Sequence, residues 1–321
     1  MNRLLFVCGF PSSGTDLTKT ILNTHPDIYL NGEMPLLHNI TKNGFCADTK
    51  FTSLHEIRAF QTLLSKLDTW NNIENLGYSF TNEIEAKKEL NIEEVLKMSF
   101  TSRTTPVWGN KTPQNTEHIS ELADLFPQAF FLVVVRDVRD VCLSWRNKWS
   151  KDMIWCAEKW AERMEEGWLA SQQIEENRCL FIKYEDILLD TEPCLRKVCE
   201  FLGLPFSHQM LEHQKYTSKQ IDGKLNYGRK IIKANTAKWR YQLPSETLAR
   251  IEEIAFNTMK LYDYEAFSAS GPQPISGLET VRGVLNDIYA VMVIGNRAKN
   301  QNNLTQRIKE LIFHLKKRIL R

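Results

Sequence analysis

The sequence lacks the features that mark membrane-spanning, disulfide-bonded or metal-binding proteins. Its seven cysteines are scattered without a Cys-x-x-Cys pair, so the pattern predicts neither a disulfide framework nor a zinc site. No apolar run approaches the roughly 20 residues of a membrane-spanning helix, and the best candidate, residues 288–295, is far shorter. The apolar run at residues 4–7 is too short for a signal peptide. These absences predict a cytoplasmic protein without a metal site.

A strong charge of one sign is also missing. The 41 Lys and Arg residues nearly balance the 39 Asp and Glu residues, which leaves a net charge of +2. Bulk electrostatics therefore give no reason to expect a nucleic-acid partner. The hydrophobic fraction of 42% in 321 residues is enough for the core of one large domain.

Short apolar runs alternate with helical patterns along the chain. Residues 4–8 predict a buried strand that ends in a turn, and 130–135 (FFLVVV) predicts a central strand buried on both faces. Further predicted elements are strands at 27–31 and 180–184 and helices at 16–24, 114–126, about 137–149, 153–176, 192–202 and 245–261. The alternation predicts an α/β fold, a doubly wound parallel sheet flanked by helices. Ligands of such sheets bind beyond the strand ends, where we expect loops at 9–15, 109–112 and 136–144.

The domain organisation follows from composition. Residues 1–265 are predicted to form one domain with a polar, helical insertion at about 45–105, and a Ser-, Gly- and Pro-rich break precedes a helical extension at 266–321. Near its end, six apolar residues share one helical face: Leu304, Ile308, Leu311, Ile312, Leu315 and Ile319. This basic amphipathic segment is predicted to pack on the domain or on a second subunit, with peripheral membrane contact as the alternative.

The turn at 9–15 carries a phosphate-binding pattern. A strand, a glycine turn and a helix present backbone N–H groups and a helix dipole to an anion. Gly9 and Gly14 have the spacing of a nucleoside-triphosphate loop, but Thr15 and Asp16 replace its Lys and Ser/Thr, which argues against a kinase-like phosphotransferase. Taken alone, the segment is equally compatible with an ordinary strand-to-helix turn.

A second anion anchor follows the central strand. Arg136 ends that strand, and Ser144 lies about two helical turns further on. A guanidinium fork and a hydroxyl near one helix end can both bind a phosphate. Two such sites at neighbouring strand ends predict a nucleotide with phosphates at its 5′ and 3′ positions. An ion pair of Arg136 with Asp137 or Asp140 is the alternative.

Four segments together resemble the sulfotransferases that use 3′-phosphoadenosine 5′-phosphosulfate. Residues 6–33 and 130–145 resemble their 5′-phosphosulfate and 3′-phosphate segments, and 182–205 and 236–240 resemble two later motifs. The match in order and spacing covers about residues 4–240. The resemblance implies a sulfotransferase with a P-loop-like fold, this nucleotide as co-substrate, and no metal.

The first segment is most similar to the tyrosylprotein sulfotransferases, whose pattern also runs to His-Pro and then Gly-Glu. This resemblance implies that Glu33 is the catalytic base and that Lys111 stabilises the transferring group. The implied donor-binding residues are Ser12, Ser13, Gly14, Thr15, Asp16, Arg136, Ser144, Tyr184, Lys238 and Trp239. The alternatives are an ion-paired loop carboxylate for Glu33, a surface lysine for Lys111, and core positions for Tyr184 and Trp239.

Two residues depart from the family pattern. Ser12 stands in place of a basic residue, and Asp16 in place of a threonine, so the turn loses a cation and gains a carboxylate. Lys111 or Lys19 is a candidate for the missing charge. The expected acceptor is a hydroxyl of a saccharide, glycolipid or other glycoconjugate. A tyrosyl acceptor, or a nucleotide-binding relative with weak or no activity, is the alternative.

Overall fold

The computed structural model describes residues 3–34, 40, 44–65, 87–100, 105–212 and 235–295. The chain divides into two compact units, the first made of Met1–Arg136 and Glu166–Lys233 and the second of Asp137–Glu165 and Ala234–Arg321. The predicted domain boundary at residue 265 stays a prediction. The amphipathic segment predicted from residue 304 onward lies outside the described residues.

The described strands are β1 (Arg3–Gly9), β2 (Ile28–Asn31), β3 (Lys50–Phe51), β4 (Leu90–Asn91), β5 (Val107–Lys111), β6 (Phe130–Val135) and β7 (Cys179–Lys183). The described α-helices are α1 (Thr15–Leu22), α2 (Leu54–Ser65), α3 (Ile92–Phe100), α4 (Ile119–Leu125), α5 (Val138–Trp149), α6 (Met153–Ser171), α7 (Tyr184–Leu189), α8 (Thr191–Phe201), α9 (Trp239–Gln242), α10 (Ser245–Leu261) and α11 (Gly277–Gly295). Short 3-10 helices lie at Pro113–His118, Glu176–Arg178 and His208–Glu212. In the described part of the chain, no helix is both long and apolar enough to cross a membrane.

A parallel sheet forms the centre of the first unit. Its strand order is β2-β5-β1-β6-β7, and every neighbouring pair is parallel. The central strand β6 is continuously apolar because helices cover the sheet. On β1, Phe6 packs against Phe126 and Phe131, whereas Val7 belongs to a core that includes Ile21 of α1 and Leu195 of α8. The predicted parallel α/β sheet is thereby confirmed.

The sequence prediction was wrong at residues 109–112, which were expected to form a loop. Residues Val107–Lys111 instead form β5, inserted between β1 and β2. The backbones approach so closely here that a Cβ atom at Gly109 would collide with the Leu5 carbonyl oxygen. The polar composition of this strand hid it from a search for apolar runs, and tertiary pairing decides its structure.

Two further elements differ in detail from the expectation. The predicted helix at 114–126 begins as the 3-10 helix Pro113–His118 and becomes α4 only at Ile119. The region expected to be a helical insertion contains α2 and α3, but also an antiparallel pair, in which Lys50 faces Asn91 and Phe51 faces Leu90. The residues after Arg136, predicted to continue as a helix to about Trp149, form α5 (Val138–Trp149), so little of the segment 136–144 is loop.

A buried ion network lies in the second unit, between α5 and α10. Arg139 donates to Asp137 at 2.7 Å and to Glu252 at 2.6 Å, and all three side chains are buried. The other oxygen of Glu252 accepts the backbone N–H groups of residues 267–269, at 2.6–3.1 Å. These contacts hold residues 267–269, which follow α10, near the start of α5. They also supply the partners that the buried charges of this network need.

Candidate active site

The turn between β1 and α1 has the backbone of an anion nest. Ser12 and Gly14 have positive φ angles of 73° and 94°, and Gly14 is the N-cap of α1. The Ser13 N–H donates to the Phe10 carbonyl at 3.0 Å, which closes the turn. A Cβ atom at Gly14 would collide with the ring of Tyr184, so only glycine fits this position.

Two serine hydroxyls are left for a ligand. The Ser13 side chain is fully buried, and neither its Oγ nor that of Ser12 has a hydrogen-bond partner among the described residues. A buried hydroxyl without a hydrogen-bond partner destabilises the fold. A bound anion would remove this cost by accepting a hydrogen bond from the hydroxyl. The turn therefore fits the phosphate of the implied nucleotide.

Lys111 lies at the carboxyl end of β5 and bridges two carboxylates. Its Nζ is 2.7 Å from Glu33 Oε1 and 2.7 Å from Asp16 Oδ1. The Lys111 side chain is only 3% exposed, whereas those of Asp16 and Glu33 are 47% and 46% exposed. The ammonium group therefore lies under two carboxylates that solvent and a ligand can reach.

The same contacts set the charge of Lys111. Burial by itself would lower the pKa of the Lys111 ammonium, but the charges and hydrogen bonds of Asp16 and Glu33 outweigh burial and raise the pKa above its ordinary value. Lys111 is therefore a cation at every physiological pH.

The sheet order explains why these three residues meet. β5 is hydrogen-bonded to both β1 and β2, so the carboxyl ends of all three strands share one edge. Asp16 is in the first turn of the helix that follows β1, and Glu33 lies two residues after β2. The Thr112 hydroxyl accepts the Met34 N–H at 2.8 Å and fixes the backbone beside Glu33. Sequence reasoning missed Thr112, whose one signal was its place next to Lys111.

Arg136 follows β6 and lies against the phosphate turn. Its Nη1 donates to the Ser12 carbonyl oxygen at 2.9 Å, and its guanidinium lies over the Tyr184 ring at 4.4 Å. Both side chains are almost fully buried. A guanidinium is therefore held beside the position where Ser12 replaces the expected cation. Tyr184 supports this guanidinium and packs on Gly14.

The remaining predicted donor residues belong to the second unit. Ser144 lies in α5 and is buried. Trp239 begins α9, and its backbone N–H donates to Asp140 Oδ1 at 3.1 Å. The Arg139 guanidinium lies 3.8 Å from the centre of the Trp239 ring. Trp239 is thus a core residue of this unit, preceded by the half-buried Lys238. Their contact with a donor stays a prediction.

No group of three or more His, Cys, Asp and Glu side chains in the described ranges is arranged to hold a metal ion. Within the first unit, the structure brings together the turn, Glu33, Lys111, Arg136 and Tyr184. A nest for a phosphate, a buried cation and an accessible carboxylate are the parts of a group-transfer site.

Solved structures share this fold. A sulfotransferase domain of the Synechococcus PCC 7002 olefin synthase matches with a TM-score of 0.57 and 20% identity, over 82% of this chain and 95% of that one. The sulfotransferase domain from the curacin biosynthetic pathway matches with a TM-score of 0.55 and 18% identity, over 83% and 99% of the two chains. The fold is the P-loop-like α/β fold of sulfotransferase domains.

Sequence comparison gives the family. The model of the Sulfotransferase family matches residues 5–208, and the chain belongs to this family. The protein-tyrosine sulfotransferase of Drosophila melanogaster is 25% identical over 272 residues, which are 78% of this chain and 50% of that protein. Protein-tyrosine sulfotransferase A of Caenorhabditis elegans is 24% identical over 268 residues, 78% of this chain and 64% of that protein. The chain thus spans about half to two thirds of these relatives.

Proposed function

We propose that this protein transfers a sulfuryl group from 3′-phosphoadenosine 5′-phosphosulfate to the hydroxyl of a tyrosyl side chain in a protein or peptide. The observation that carries the proposal is the Lys111 ammonium, 2.7 Å from Glu33 at one edge of the sheet, beside the phosphate turn. The curated relatives support the tyrosyl acceptor over the saccharide or glycolipid acceptor that we first expected.

Each residue of the first unit has a role in this reaction. The bound donor supplies the sulfuryl group, whose bond to the phosphate oxygen breaks as the acceptor oxygen attacks in line. Glu33 takes the proton of the acceptor hydroxyl, for which its half-exposed carboxylate is accessible. The buried Lys111 ammonium neutralises charge on the sulfuryl oxygens. The Ser12 and Ser13 hydroxyls and the N-terminus of α1 bind the 5′ phosphate.

Arg136 accounts for the missing cation at Ser12 in this proposal. Its guanidinium already donates to the Ser12 carbonyl and is kept in place by the Tyr184 ring. Lys111, in contrast, is shared with the extra carboxylate of Asp16. Arg136 therefore supplies positive charge at the turn. It also stays, with Ser144, the predicted contact with the 3′ phosphate, and Lys238 and Trp239 are the predicted contacts with the rest of the nucleotide.

The test is transfer of label from ³⁵S-labelled donor. The acceptors are a tyrosyl peptide, the same peptide with Phe in place of Tyr, and a panel of saccharides and glycolipids. We expect label on the tyrosyl peptide and none on the Phe peptide. Label on saccharides alone would refute the acceptor, and absence of both donor binding and transfer would refute the function.

A second candidate is a nucleotide-binding relative with weak or no transferase activity. It is favoured by one observation, the pairing of Asp16 with Lys111, because this carboxylate competes with sulfuryl oxygens for the same ammonium group. Donor binding without transfer to any acceptor would support this candidate. Restoration of transfer by Asp16→Thr would then identify the carboxylate as the cause.

Three expectations about the surroundings of the protein stay predictions. They are a cytoplasmic location, peripheral membrane contact, and dimerisation through the C-terminal basic amphipathic segment.

A further inference from the structure

Two predicted contacts of the donor lie far apart in the sequence but belong to the second compact unit. Ser144 is on α5, whereas Lys238 directly precedes Trp239, the first residue of α9. Because one nucleotide is to contact both places, the start of α9 must be held beside the part of α5 that carries Ser144. The side chain of Asp140 makes that connection.

Asp140 is fully buried beside the start of α9. Its Oδ1 accepts the backbone N–H of Trp239 at 3.1 Å, across 99 residues of sequence. The first N–H groups of a helix have no partner within the helix, and Lys238, the N-cap of α9, has no side-chain oxygen that could accept one. Asp140 and Ser144 are four residues apart on α5, a spacing that places both on one face of the helix. The start of α9 is thus held at the face of α5 that carries Ser144.

The residue before Asp140 holds the indole ring of Trp239. The Arg139 guanidinium lies 3.8 Å from the centre of this ring, and the centre of the Phe267 ring lies 5.5 Å from it. Arg139 is itself fixed by the buried ion network of the second unit. Consecutive residues of α5 therefore hold both the backbone and the side chain of Trp239.

The backbone just before Lys238 is strained. Ala237 has a φ angle of 53°, in the left-handed region that a residue with a Cβ atom adopts only at a cost in free energy. Such a conformation persists where the surrounding structure over-determines it. The hydrogen bond of Trp239 supplies such a constraint two residues further on. Lys238, between the strained residue and the anchored one, therefore depends on that hydrogen bond for its position.

We propose that Asp140 is a positioning residue for the donor: by accepting the Trp239 N–H, it holds Lys238 at the face of α5 that carries Ser144. The inference rests on the proposed function, because it assigns Asp140 to the binding of that donor. Since its carboxylate is fully buried, Asp140 acts through Lys238 and Trp239 and not on the nucleotide itself.

Loss of this hydrogen bond should affect donor binding more than the chemical step. A released segment must be ordered again each time the nucleotide binds, and the cost of ordering lowers the affinity. Once the donor saturates the site, the segment is back in place, and Glu33 and Lys111 of the first unit are unchanged. The expected signature is a raised KM for the donor at nearly unchanged kcat.

Three variants of the full-length chain test the proposal. Asp140→Leu replaces the two carboxylate oxygens by methyl groups, whereas Asp140→Asn keeps an oxygen for the Trp239 N–H. Tyr262→Phe is the matched control, because it removes another buried hydrogen bond of the second unit, from the Tyr262 hydroxyl to the Met164 carbonyl at 2.8 Å. Calorimetry gives the affinity for 3′-phosphoadenosine 5′-phosphate, and label transfer gives KM and kcat. Hydrogen exchange with mass spectrometry, without nucleotide, gives the protection of residues 236–243.

We expect Asp140→Leu to bind the nucleotide about tenfold more weakly, as for the loss of one hydrogen bond to a buried charged group. The KM for the donor should rise by a similar factor, kcat should stay within about threefold of the parent, and residues 236–243 should exchange faster. Asp140→Asn should keep the affinity within about threefold, because the acceptor oxygen is kept. Tyr262→Phe should lose unfolding stability but neither affinity nor protection.

Affinity and protection like those of the parent in Asp140→Leu, when the parent binds the nucleotide, would overturn this inference alone. Equal losses of affinity in Asp140→Leu and Tyr262→Phe would overturn it as well, because general destabilisation would then explain both. A parent protein that does not bind the nucleotide would overturn the proposed function and this inference with it. Residues 236–243 of the parent should be protected without nucleotide. Exchange at the rate of an unfolded chain would overturn the inference whether or not Asp140→Leu folds.

Discussion

Replacement of Lys111 by methionine is the most direct test of the site. Methionine keeps most of the length and apolar volume of the side chain but removes the ammonium group that bridges Asp16 and Glu33 at 2.7 Å. Because both carboxylates are nearly half exposed, water can replace the lost contacts, and we expect a loss of only about 1 kcal/mol in unfolding free energy. Loss of a preorganised donor at the transferring group should instead lower kcat by about 10²–10³-fold, or roughly 2.7–4 kcal/mol.

The assay is initial-rate label transfer to a tyrosyl peptide at saturating donor, with thermal unfolding measured in parallel. Lys50→Met is the matched control, because Lys50 also pairs with a glutamate, Glu89 at 2.6 Å, but on the surface of the same unit. The control should keep full activity. If Lys111→Met kept kcat within about threefold of the parent, a change of less than 1 kcal/mol, Lys111 would have no part in the chemistry.

Three more outcomes are expected. Asp16→Asn removes the carboxylate that pairs with Lys111. Because a half-exposed charge contributes about 1 kcal/mol, calorimetry should show about fivefold tighter binding of 3′-phosphoadenosine 5′-phosphate. Weaker binding would contradict the charge argument. Glu252→Gln removes one of the two carboxylates that neutralise the buried Arg139 guanidinium and should cost about 3 kcal/mol in denaturant unfolding. A loss below about 1 kcal/mol, the level of a surface pair, would speak against the buried network. The hydrogen bond from Arg250 lowers the pKa of Glu279 to about 2 from its ordinary 4.5. This pair therefore stabilises the fold above pH 4.5, and the contribution is lost as the pH falls toward 2. The thermal unfolding temperatures of Glu279→Gln and the parent should converge in that range, and a constant difference between them would be the contrary result.

The sequence predicted the sheet well where strands are continuously apolar. Residues 130–135 form β6 within the same bounds, since a strand buried on both faces needs no polar side chain. Strand β5 was missed because Asn110 and Lys111 resemble a loop locally, and only pairing between β1 and β2 makes them a strand. Local patterns do not contain this information.

The site was predictable in its members but not in all its contacts. The family resemblance named Glu33 and Lys111, and the structure places them 2.7 Å apart. The pairing of Asp16 with Lys111 depends on which strand lies beside β1, and the contact of Arg136 with Ser12 depends on the order β1-β6. Neither follows from spacing along the chain. That Arg136 and Ser144 fall in different compact units is likewise invisible in the short motif that contains both.

The carboxylate of Glu252 sets a lower limit on how short a stable form of this chain can be. It accepts hydrogen bonds from three backbone N–H groups, those of Phe267, Ser268 and Ala269. A polypeptide ending at residue 265, where composition suggested a boundary, would lose all three donors and leave part of a buried negative charge without solvation. Recombinant fragments for crystallisation or binding work should therefore run at least to Ala269. Residues 267–269 thus hydrogen-bond to a helix of the second unit.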